Sequence, residues 1–238
     1  MPMTSLCLSS TSLAYPRFLC DEPVPDISPF CEKTAHRIIA AGLEKGAAGF
    51  FPRQLDKVVA HALECTPDGS LPEMRVIGPS SGMAAAVEEV GREAAFGPAW
   101  LRVWLAQDIM ALGRLFQAIT GAKELLVRLE AIRTDACRRF HADHVHHRLT
   151  CTYRGPGTQW IQPDMATEWE QGKAWPASAI RQAQTGTVTI MRGRRAETAQ
   201  KPALLHRSPP VAGSGITRLF LAIDDATDHD NGDGIIPE

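Results

Sequence analysis

The 238-residue sequence lacks a charge imbalance and a long apolar run. Its 25 Lys and Arg residues nearly balance its 27 Asp and Glu residues, so the formal net charge is −2 and bulk nucleic-acid binding is not expected. No stretch reaches the roughly 18 uninterrupted apolar residues that a bilayer span requires. The best candidate is interrupted by Arg102, Gln107, Asp108 and Arg114. The sequence therefore predicts no integral membrane protein and no membrane partner.

Paired cysteine motifs, internal repeats and a secretory leader are also missing. The six cysteines form no CxxC pair, which disfavours a zinc ribbon or a thioredoxin-like site and favours reduced thiols. Sequence self-similarity at periods of roughly 20 to 50 residues is absent, which argues against solenoids and propellers. No basic residue precedes Arg17 and no apolar stretch of signal-peptide length is present, so a cytoplasmic location is expected.

The sequence is 44% hydrophobic and 22% charged, which is typical of a globular protein with a substantial core. Residues 1–30 are rich in Pro, Ser and Thr and are predicted to form an irregular N-terminal arm. Residues 31–122 repeat apolar side chains at spacings of three and four, which predicts a layer of four amphipathic helices. The fourth helix is expected to follow Pro98, with a broad apolar stripe that includes Trp100 and Trp104.

The pattern changes to a period of two within residues 123–224. Leu125, Val127 and Leu129 alternate with Leu126, Arg128 and Glu130, and further short strands are predicted over 147–153, 158–161, 187–191, 203–206 and 216–223. Residues 225–238 are acidic and are expected to form a solvated, disordered tail. Helices followed by short strands predict an α+β fold, in which a β sandwich or barrel is preceded and braced by an N-terminal helical layer.

Candidate metal ligands lie at two places in the strand-rich half. His141 and Asp143 are two residues apart at the entrance of a predicted strand, where alternate side chains share a face. The short apolar strand PALL delivers His206 later in the chain. Two imidazoles and one carboxylate that leave the other positions of an ion open form the facial arrangement of non-haem Fe(II) oxygenases. Arg218 is suited to the distal carboxylate of a 2-oxoglutarate co-substrate, because guanidinium binds carboxylates bidentately.

The layout of these motifs resembles the Fe(II)/2-oxoglutarate-dependent oxygenase superfamily, and within it the prolyl-hydroxylase branch. The resemblance covers about residues 124–223 and rests on His141-x-Asp143, RLTCTYRGPGTQW, VTIMRG and LLHRSPPVAGSGITRLFLAI. It implies a double-stranded β-helix, which is a jelly-roll or cupin-like barrel, with His141, Asp143 and His206 as iron ligands and Arg218 on 2-oxoglutarate. It also implies hydroxylation of a small molecule or protein side chain. The sequence further resembles a bacterial family of the DUF1826 type, which we associate with zinc-limitation gene neighbourhoods.

Two further residues are candidates for contact with the co-substrate. Arg218 lies 12 residues after His206, further than is usual in the resembled branch, so Arg148 in the first long strand is the alternative carboxylate partner. Tyr153 is predicted to line the substrate pocket or to hydrogen-bond 2-oxoglutarate, although aromatic residues in barrels more often serve packing.

A rival hypothesis rests on the density of histidines around the first ligands. His144, His146 and His147 join His141 and Asp143 in the segment HADHVHH, which is rich enough in nitrogen donors to suit Zn²⁺. The protein would then be a non-catalytic zinc-binding or zinc-homeostasis protein on the same barrel. For each additional histidine, an exposed position or a hydrogen bond to a ligand is the preferred interpretation. A cupin-like metalloenzyme without 2-oxoglutarate is a third possibility.

Overall fold

The structure, a computed structural model, describes residues 30–135, 137–162, 165 and 175–229. The predicted N-terminal arm, except residue 30, lies outside these ranges, as do residues 230–238 of the predicted acidic tail. The described part of the chain contains four α-helices and nine strands. Two of the strands lie between helices, whereas the sequence pattern predicts all helices first and all strands afterwards.

Four α-helices form the predicted helical layer. The longest helix carries the broad apolar stripe, with Trp100, Trp104, Leu112 and Phe116 buried, and ends at Gly121, whose φ of +79° suits glycine. Hydrophobic burial of this stripe fixes the helix against the large sheet, because its side chains share one apolar core with the strands. The helices are α1 (Glu32–Lys45), α2 (Lys57–Cys65), α3 (Ser80–Glu93) and α4 (Ala99–Thr120).

The described strands form two antiparallel sheets. The large sheet has the order β1-β7-β4-β9-β3-β2, and the small sheet has the order β6-β5-β8. The strands are β1 (Ala48–Phe51), β2 (Met74–Gly78), β3 (Leu125–Ile132), β4 (His147–Arg154), β5 (Gln159–Ile161), β6 (Ile180–Gln182), β7 (Val188–Arg192), β8 (His206–Arg207) and β9 (Arg218–Asp225).

The strands of the large sheet have two chemically different faces. On β4, Leu149, Cys151 and Tyr153 belong to the core shared with the helices, whereas Arg148 and Thr152 bind partners on the other side. The same alternation holds on β9, since Leu219, Leu221 and Ile223 lie in the helical core. The face away from the helices therefore carries the buried polar and charged side chains. The small sheet lies on that side and contributes to an apolar cluster there, in which Phe50 and Trp160 pack with ring centroids 4.5 Å apart.

The predicted fold class is confirmed, because a helical layer covers one face of an antiparallel sheet and a second antiparallel sheet packs on the other. Two facing antiparallel sheets are the architecture of a double-stranded β-helix; among the described strands they do not close into a barrel. Within the same residues, no helix has the length and apolar character needed to cross a membrane.

Three strands were not predicted. β1 and β2 lie in the half predicted to be helical, yet they form the two edges of the large sheet, so this sheet crosses the expected boundary between residues 122 and 123. Both are short, and half-exposed edge strands of four or five residues give no decisive periodicity. β6 follows a long connection, and β8 contains only two residues where 203–206 had been predicted. Residues 226–229 form a short 3-10 helix with a buried Asp228, not the start of a solvated tail.

A buried polar network joins the helical layer to the large sheet. Asp108 of α4 accepts two hydrogen bonds from Arg53, at 2.6 and 2.7 Å, and one from the Tyr153 hydroxyl at 2.6 Å. Asp108 and Tyr153 are both almost fully buried. The network ties three separate parts of the chain together: the segment after β1, the middle of α4 and the end of β4.

Cys151 lies beside this network and is expected to be chemically inert. Burial raises the pKa of its thiol to about 11, against a partial opposing effect of Arg53. The thiolate is the reactive form, and at pH 8 a thiol of this pKa is ionised in only about one molecule in a thousand. Alkylation with iodoacetamide at pH 8, followed by peptide mapping, should modify the exposed Cys31 and Cys65 long before Cys151. Equal labelling of Cys151 in the folded protein would contradict this assignment.

Candidate metal centre

His141 and His206 are brought together by an antiparallel β-bridge. The His141 N–H donates to the His206 carbonyl at 3.0 Å, and the His206 N–H donates to the His141 carbonyl at 2.9 Å. Residues directly opposite in such a bridge place their side chains on the same face. The two imidazole rings accordingly lie with centroids 4.7 Å apart. His141 and Asp143 lie in an irregular segment before β4, which begins only at His147.

The orientation of both imidazoles is set by backbone carbonyls. His141 Nδ1 lies 2.9 Å from the Arg139 carbonyl oxygen, and His206 Nδ1 lies 3.1 Å from the Leu204 carbonyl oxygen. Since a carbonyl can only accept, each Nδ1 carries the proton and donates. Each Nε2 is then directed towards Asp143, at 3.5 Å from Oδ1 for His141 and 3.1 Å from Oδ2 for His206. This tautomer is the one that leaves Nε2 available as a metal ligand.

Asp143 completes the group, and its carboxylate is held ionised. Burial opposes ionisation, but the positive charge of Arg148, together with the two imidazoles, lowers the pKa of Asp143 well below its usual value. Arg148 Nη1 lies 2.7 Å from Asp143 Oδ2. Despite this ion-pair contact, the buried Oδ2 receives no hydrogen bond of good geometry from the described residues. The Asp143 carboxylate beside the ring raises the pKa of His141, against the opposing effect of burial.

These three residues fit a divalent metal. A ligand atom from each of His141, Asp143 and His206 lies within 4.8 Å of the other two. With both imidazoles neutral, the two Nε2 atoms and the carboxylate oxygens are electron-pair donors that face one another, and a bound divalent cation would relieve their mutual repulsion. Two imidazoles and one carboxylate suit Fe(II), with positions left for other ligands. Among the described residues, this is the one group of His, Cys, Asp and Glu with such geometry.

Arg218, predicted to bind a co-substrate carboxylate, is fully buried on the polar side of the large sheet. Its guanidinium donates to the Pro156 carbonyl at 2.7 Å, to Ser208 Oγ at 3.0 Å and to Thr152 Oγ1 at 3.3 Å. All three acceptors are neutral, and no carboxylate of the described chain lies within ion-pair distance. Burial lowers the pKa of Arg218 to about 10. The guanidinium is thus a buried cation without an ion-pair partner among the described residues, although the charge of Glu130 partly opposes the effect of burial on its pKa.

The other two residues predicted to contact a co-substrate are engaged elsewhere. Arg148 binds Asp224 through Nε at 2.6 Å and Nη2 at 2.8 Å, in addition to its contact with Asp143. Its proposed role on 2-oxoglutarate stays a prediction. Tyr153 lies on the opposite face of β4 from Thr152 and donates to Asp108 in the helical core, so the structure does not bring it to the metal centre.

The additional histidines do not join the three candidate ligands. His146 is directed away, with its backbone N–H and Nδ1 at 2.8 and 2.6 Å from the two carboxylate oxygens of Asp228. His144 is exposed, and His147 lies at the start of β4. Neither belongs to the group that can bind one ion. The dense HADHVHH segment therefore contributes His141 and Asp143 to the centre, while its other histidines lie elsewhere.

Most of the chain matches one protein family. A family model described as a protein of unknown function, DUF1826, matches residues 36–224. The chain belongs to the DUF1826 family. The predicted resemblance to this family is confirmed, and the DUF1826 match runs from α1 to the end of β9, so it includes both the helical layer and the two sheets. No curated protein matches the sequence significantly.

Solved structures similar to this DUF1826 protein include several oxygenases at low sequence identity. A dioxygenase for auxin oxidation from rice is 12% identical, with a TM-score of 0.44, over 82% of this chain and 78% of that chain. AtDAO1 from Arabidopsis thaliana, in complex with 2-oxoglutarate, is 10% identical, with a TM-score of 0.41, over 82% and 89%. A Pseudomonas putida prolyl-4-hydroxylase is 13% identical, with a TM-score of 0.34, over 73% and 96%.

The sequence did not reveal that Asp224 and Asp228 are buried. Asp224 is the last residue of the strand-rich segment, directly before the predicted acidic tail, and it is fully buried near the end of β9, where it binds Arg148. Asp228 binds His146 and also Arg195, at 3.1 Å. A signal for Asp224 exists, because it falls in phase with Arg218, Phe220 and Ala222 on the polar face of β9. No comparable signal marks Asp228.

Proposed function

We propose that this protein is an Fe(II)- and 2-oxoglutarate-dependent oxygenase that hydroxylates a substrate still to be identified. The observation that carries the proposal is the convergence of His141, Asp143 and His206, with both imidazoles fixed so that Nε2 faces the carboxylate. Arg218 supports a dicarboxylate co-substrate, because it is buried on the same side of the large sheet and has no ion-pair partner among the described residues.

Each residue has a defined task in this reaction. His141, Asp143 and His206 would hold the iron, and the carbonyls of Arg139 and Leu204 keep the two rings in the ligating tautomer. Iron and 2-oxoglutarate, when bound, supply oxidative chemistry that ends in a hydroxylated product, succinate and CO₂. The protein itself binds and orients the reactants and limits the access of water, since His206 and Asp143 are largely shielded from solvent.

Arg218 would recognise the distal carboxylate of 2-oxoglutarate. A buried cation that is hydrogen-bonded only to neutral acceptors is destabilised by its lost hydration. A bound carboxylate would restore the missing negative charge and accept charge-assisted hydrogen bonds from the guanidinium. Thr152 and Ser208, which now accept from Arg218, would keep the guanidinium oriented towards the ligand.

Replacement of Arg218 by glutamine tests this role. Truncation of one partner in a buried charge pair typically costs 2–5 kcal/mol, so the KM for 2-oxoglutarate should rise by at least about 30-fold. The assay is succinate formation at saturating Fe(II), with metal affinity measured separately. Arg207→Gln is the matched control, because Arg207 stacks on Phe140 and binds Gln159 and should leave this KM within about twofold. An unchanged KM in Arg218→Gln would reject Arg218 as the carboxylate partner.

The zinc-binding hypothesis predicts different behaviour at the same three residues. It requires tight Zn²⁺ binding, no effect of 2-oxoglutarate, and a contribution from His144 or His147. Among the described residues, the group that can hold one ion contains neither His144 nor His147, so the structure gives this hypothesis no added support. The substrate class, small molecule or protein side chain, and the cytoplasmic location stay predictions.

A further inference from the structure

Asp224 is the most completely buried acidic residue near the centre, and it touches none of the candidate ligands. It lies at the end of β9 with no exposed surface. Its two oxygens accept from Arg148 Nε at 2.6 Å and Nη2 at 2.8 Å, and Arg128 Nη2 lies 3.1 Å from Oδ2. His229 Nε2 also lies 3.2 Å from Oδ2. A carboxylate with this number of partners is fixed in both position and charge.

Arg148 connects this carboxylate to the metal centre. Its Nε and Nη2 are both used on Asp224, and its Nη1 lies 2.7 Å from Asp143 Oδ2. The planar guanidinium thus spans two carboxylates with one rigid fork. The sequence of charges from the centre outwards is negative, positive, negative and positive, through Asp143, Arg148, Asp224 and Arg128.

This alternation removes an electrostatic conflict. A guanidinium next to a ligand carboxylate competes with a divalent ion for that carboxylate and repels the ion at short range, most strongly where water is excluded. A second carboxylate bound to the same guanidinium neutralises its charge and restricts its rotation. Arg148 can then orient Asp143 without acting as a net cation beside the metal.

We propose that Asp224 is a positioning residue of the metal centre, which acts through Arg148 to orient Asp143 and to neutralise the guanidinium beside it. The inference rests on the metal centre of the proposed function. Burial opposes ionisation of Asp224, but Arg148 and the neighbouring His229 and Arg128 lower its pKa to about 2, so the countercharge is present at neutral pH.

Metal binding by Asp224→Asn tests the proposal, because the change keeps the shape of the side chain and removes its charge. We expect the Kd for Co(II), used anaerobically as a spectroscopic substitute for Fe(II), to rise at least tenfold, at the lower end of the roughly 10–100-fold losses found for residues that orient metal ligands. The visible Co(II) spectrum should also change, which a purely structural role would not require. Asp68→Asn is the matched control, since Asp68 pairs with Arg154 near the surface and should leave Kd within about twofold.

Two further variants separate the parts of the proposal and guard against misfolding. Arg148→Lys, which cannot bridge two carboxylates with a planar fork, should weaken Co(II) binding to a similar extent. Arg148→Met combined with Asp224→Asn should bind Co(II) more tightly than Asp224→Asn alone, because the unneutralised cation is gone. A Co(II) Kd and visible spectrum equal to those of the wild type, in either Asp224→Asn or Arg148→Lys, would overturn the inference. If the double variant binds Co(II) no more tightly than Asp224→Asn does, the proposed neutralising role of Asp224 is wrong. Failure of the wild-type protein to bind Co(II) would instead reject the proposed metal centre itself.

Discussion

Replacement of Asp143 by alanine is expected to abolish 2-oxoglutarate turnover and to weaken Fe(II) binding by more than about 100-fold, beyond the range found for residues that only support a ligand. Asp143 is the sole anionic member of the candidate ligand group. Without it, two neutral imidazoles would face the ion, and the cation Arg148 would lie close by without the carboxylate that it now contacts. Metal affinity by titration calorimetry and succinate formation measure the two effects separately.

His144→Ala is the control for Asp143→Ala. His144 is the residue after Asp143 but is exposed and lies outside the candidate ligand group. This variant should bind Fe(II) and convert 2-oxoglutarate as the wild type does. Loss of metal binding in His144→Ala would favour the zinc-binding hypothesis, whereas an active Asp143→Ala protein would reject the oxygenase assignment.

The largest loss of stability is expected at Asp108, far from the metal centre. Asp108→Ala would leave the buried Arg53 without the carboxylate that binds it at 2.6 and 2.7 Å, and would leave the Tyr153 hydroxyl without its acceptor. Breaking one side of a buried ion pair costs about 3–5 kcal/mol in the free energy of unfolding. Urea denaturation of the metal-free protein, followed by circular dichroism, measures this change.

A double replacement distinguishes a broken ion pair from a simple packing defect. Arg53→Met with Asp108→Leu removes both charges and keeps apolar volume, so it should be more stable than Asp108→Ala, as buried pairs replaced by apolar residues often lose little. Tyr153→Phe removes one hydrogen bond and should lose only about 1 kcal/mol. Stability of Asp108→Ala within about 1 kcal/mol of the wild type would show that the network contributes little.

The elements with strong periodicity could be predicted from the sequence. The four helices and the strands β3, β4, β7 and β9 follow from apolar spacings of three to four or of two, because those patterns report which face is buried. β1 and β2 could not be predicted in the same way. They are short edge strands between helices, and their identity depends on pairing with β7 and β3, which lie far away in the chain.

The three predicted ligands lie close together in the structure, but the sequence does not show which backbone contact brings them together. His141 and Asp143 share a face only through an irregular segment that is fixed by the backbone bridge to His206. Tyr153 belongs to the quoted motif but does not face the metal centre. It lies one residue from Thr152, a contact of Arg218, yet strand alternation directs it into the helical core.

The burial of Asp224 and Asp228 was the least predictable feature of this part of the protein. Asp224 directly precedes the acidic stretch that is predicted to be a solvated tail, and Asp228 lies within it. Only the tertiary contacts with Arg148, Arg195 and His146 show that both are buried. A buried carboxylate is stable only with such partners, and those partners come from distant strands and loops. Local sequence therefore cannot separate it from an exposed one.

The most direct test of the metal centre is an anaerobic titration of metal-free protein with Fe(II) in the presence of 2-oxoglutarate, followed by visible absorption. The account predicts the weak charge-transfer band of a chelated complex at one Fe(II) per chain, and its loss in His206→Ala, which removes one imidazole. Absence of the band, together with tight stoichiometric Zn²⁺ binding that is insensitive to 2-oxoglutarate, would contradict the oxygenase assignment and leave a metal-binding protein in its place.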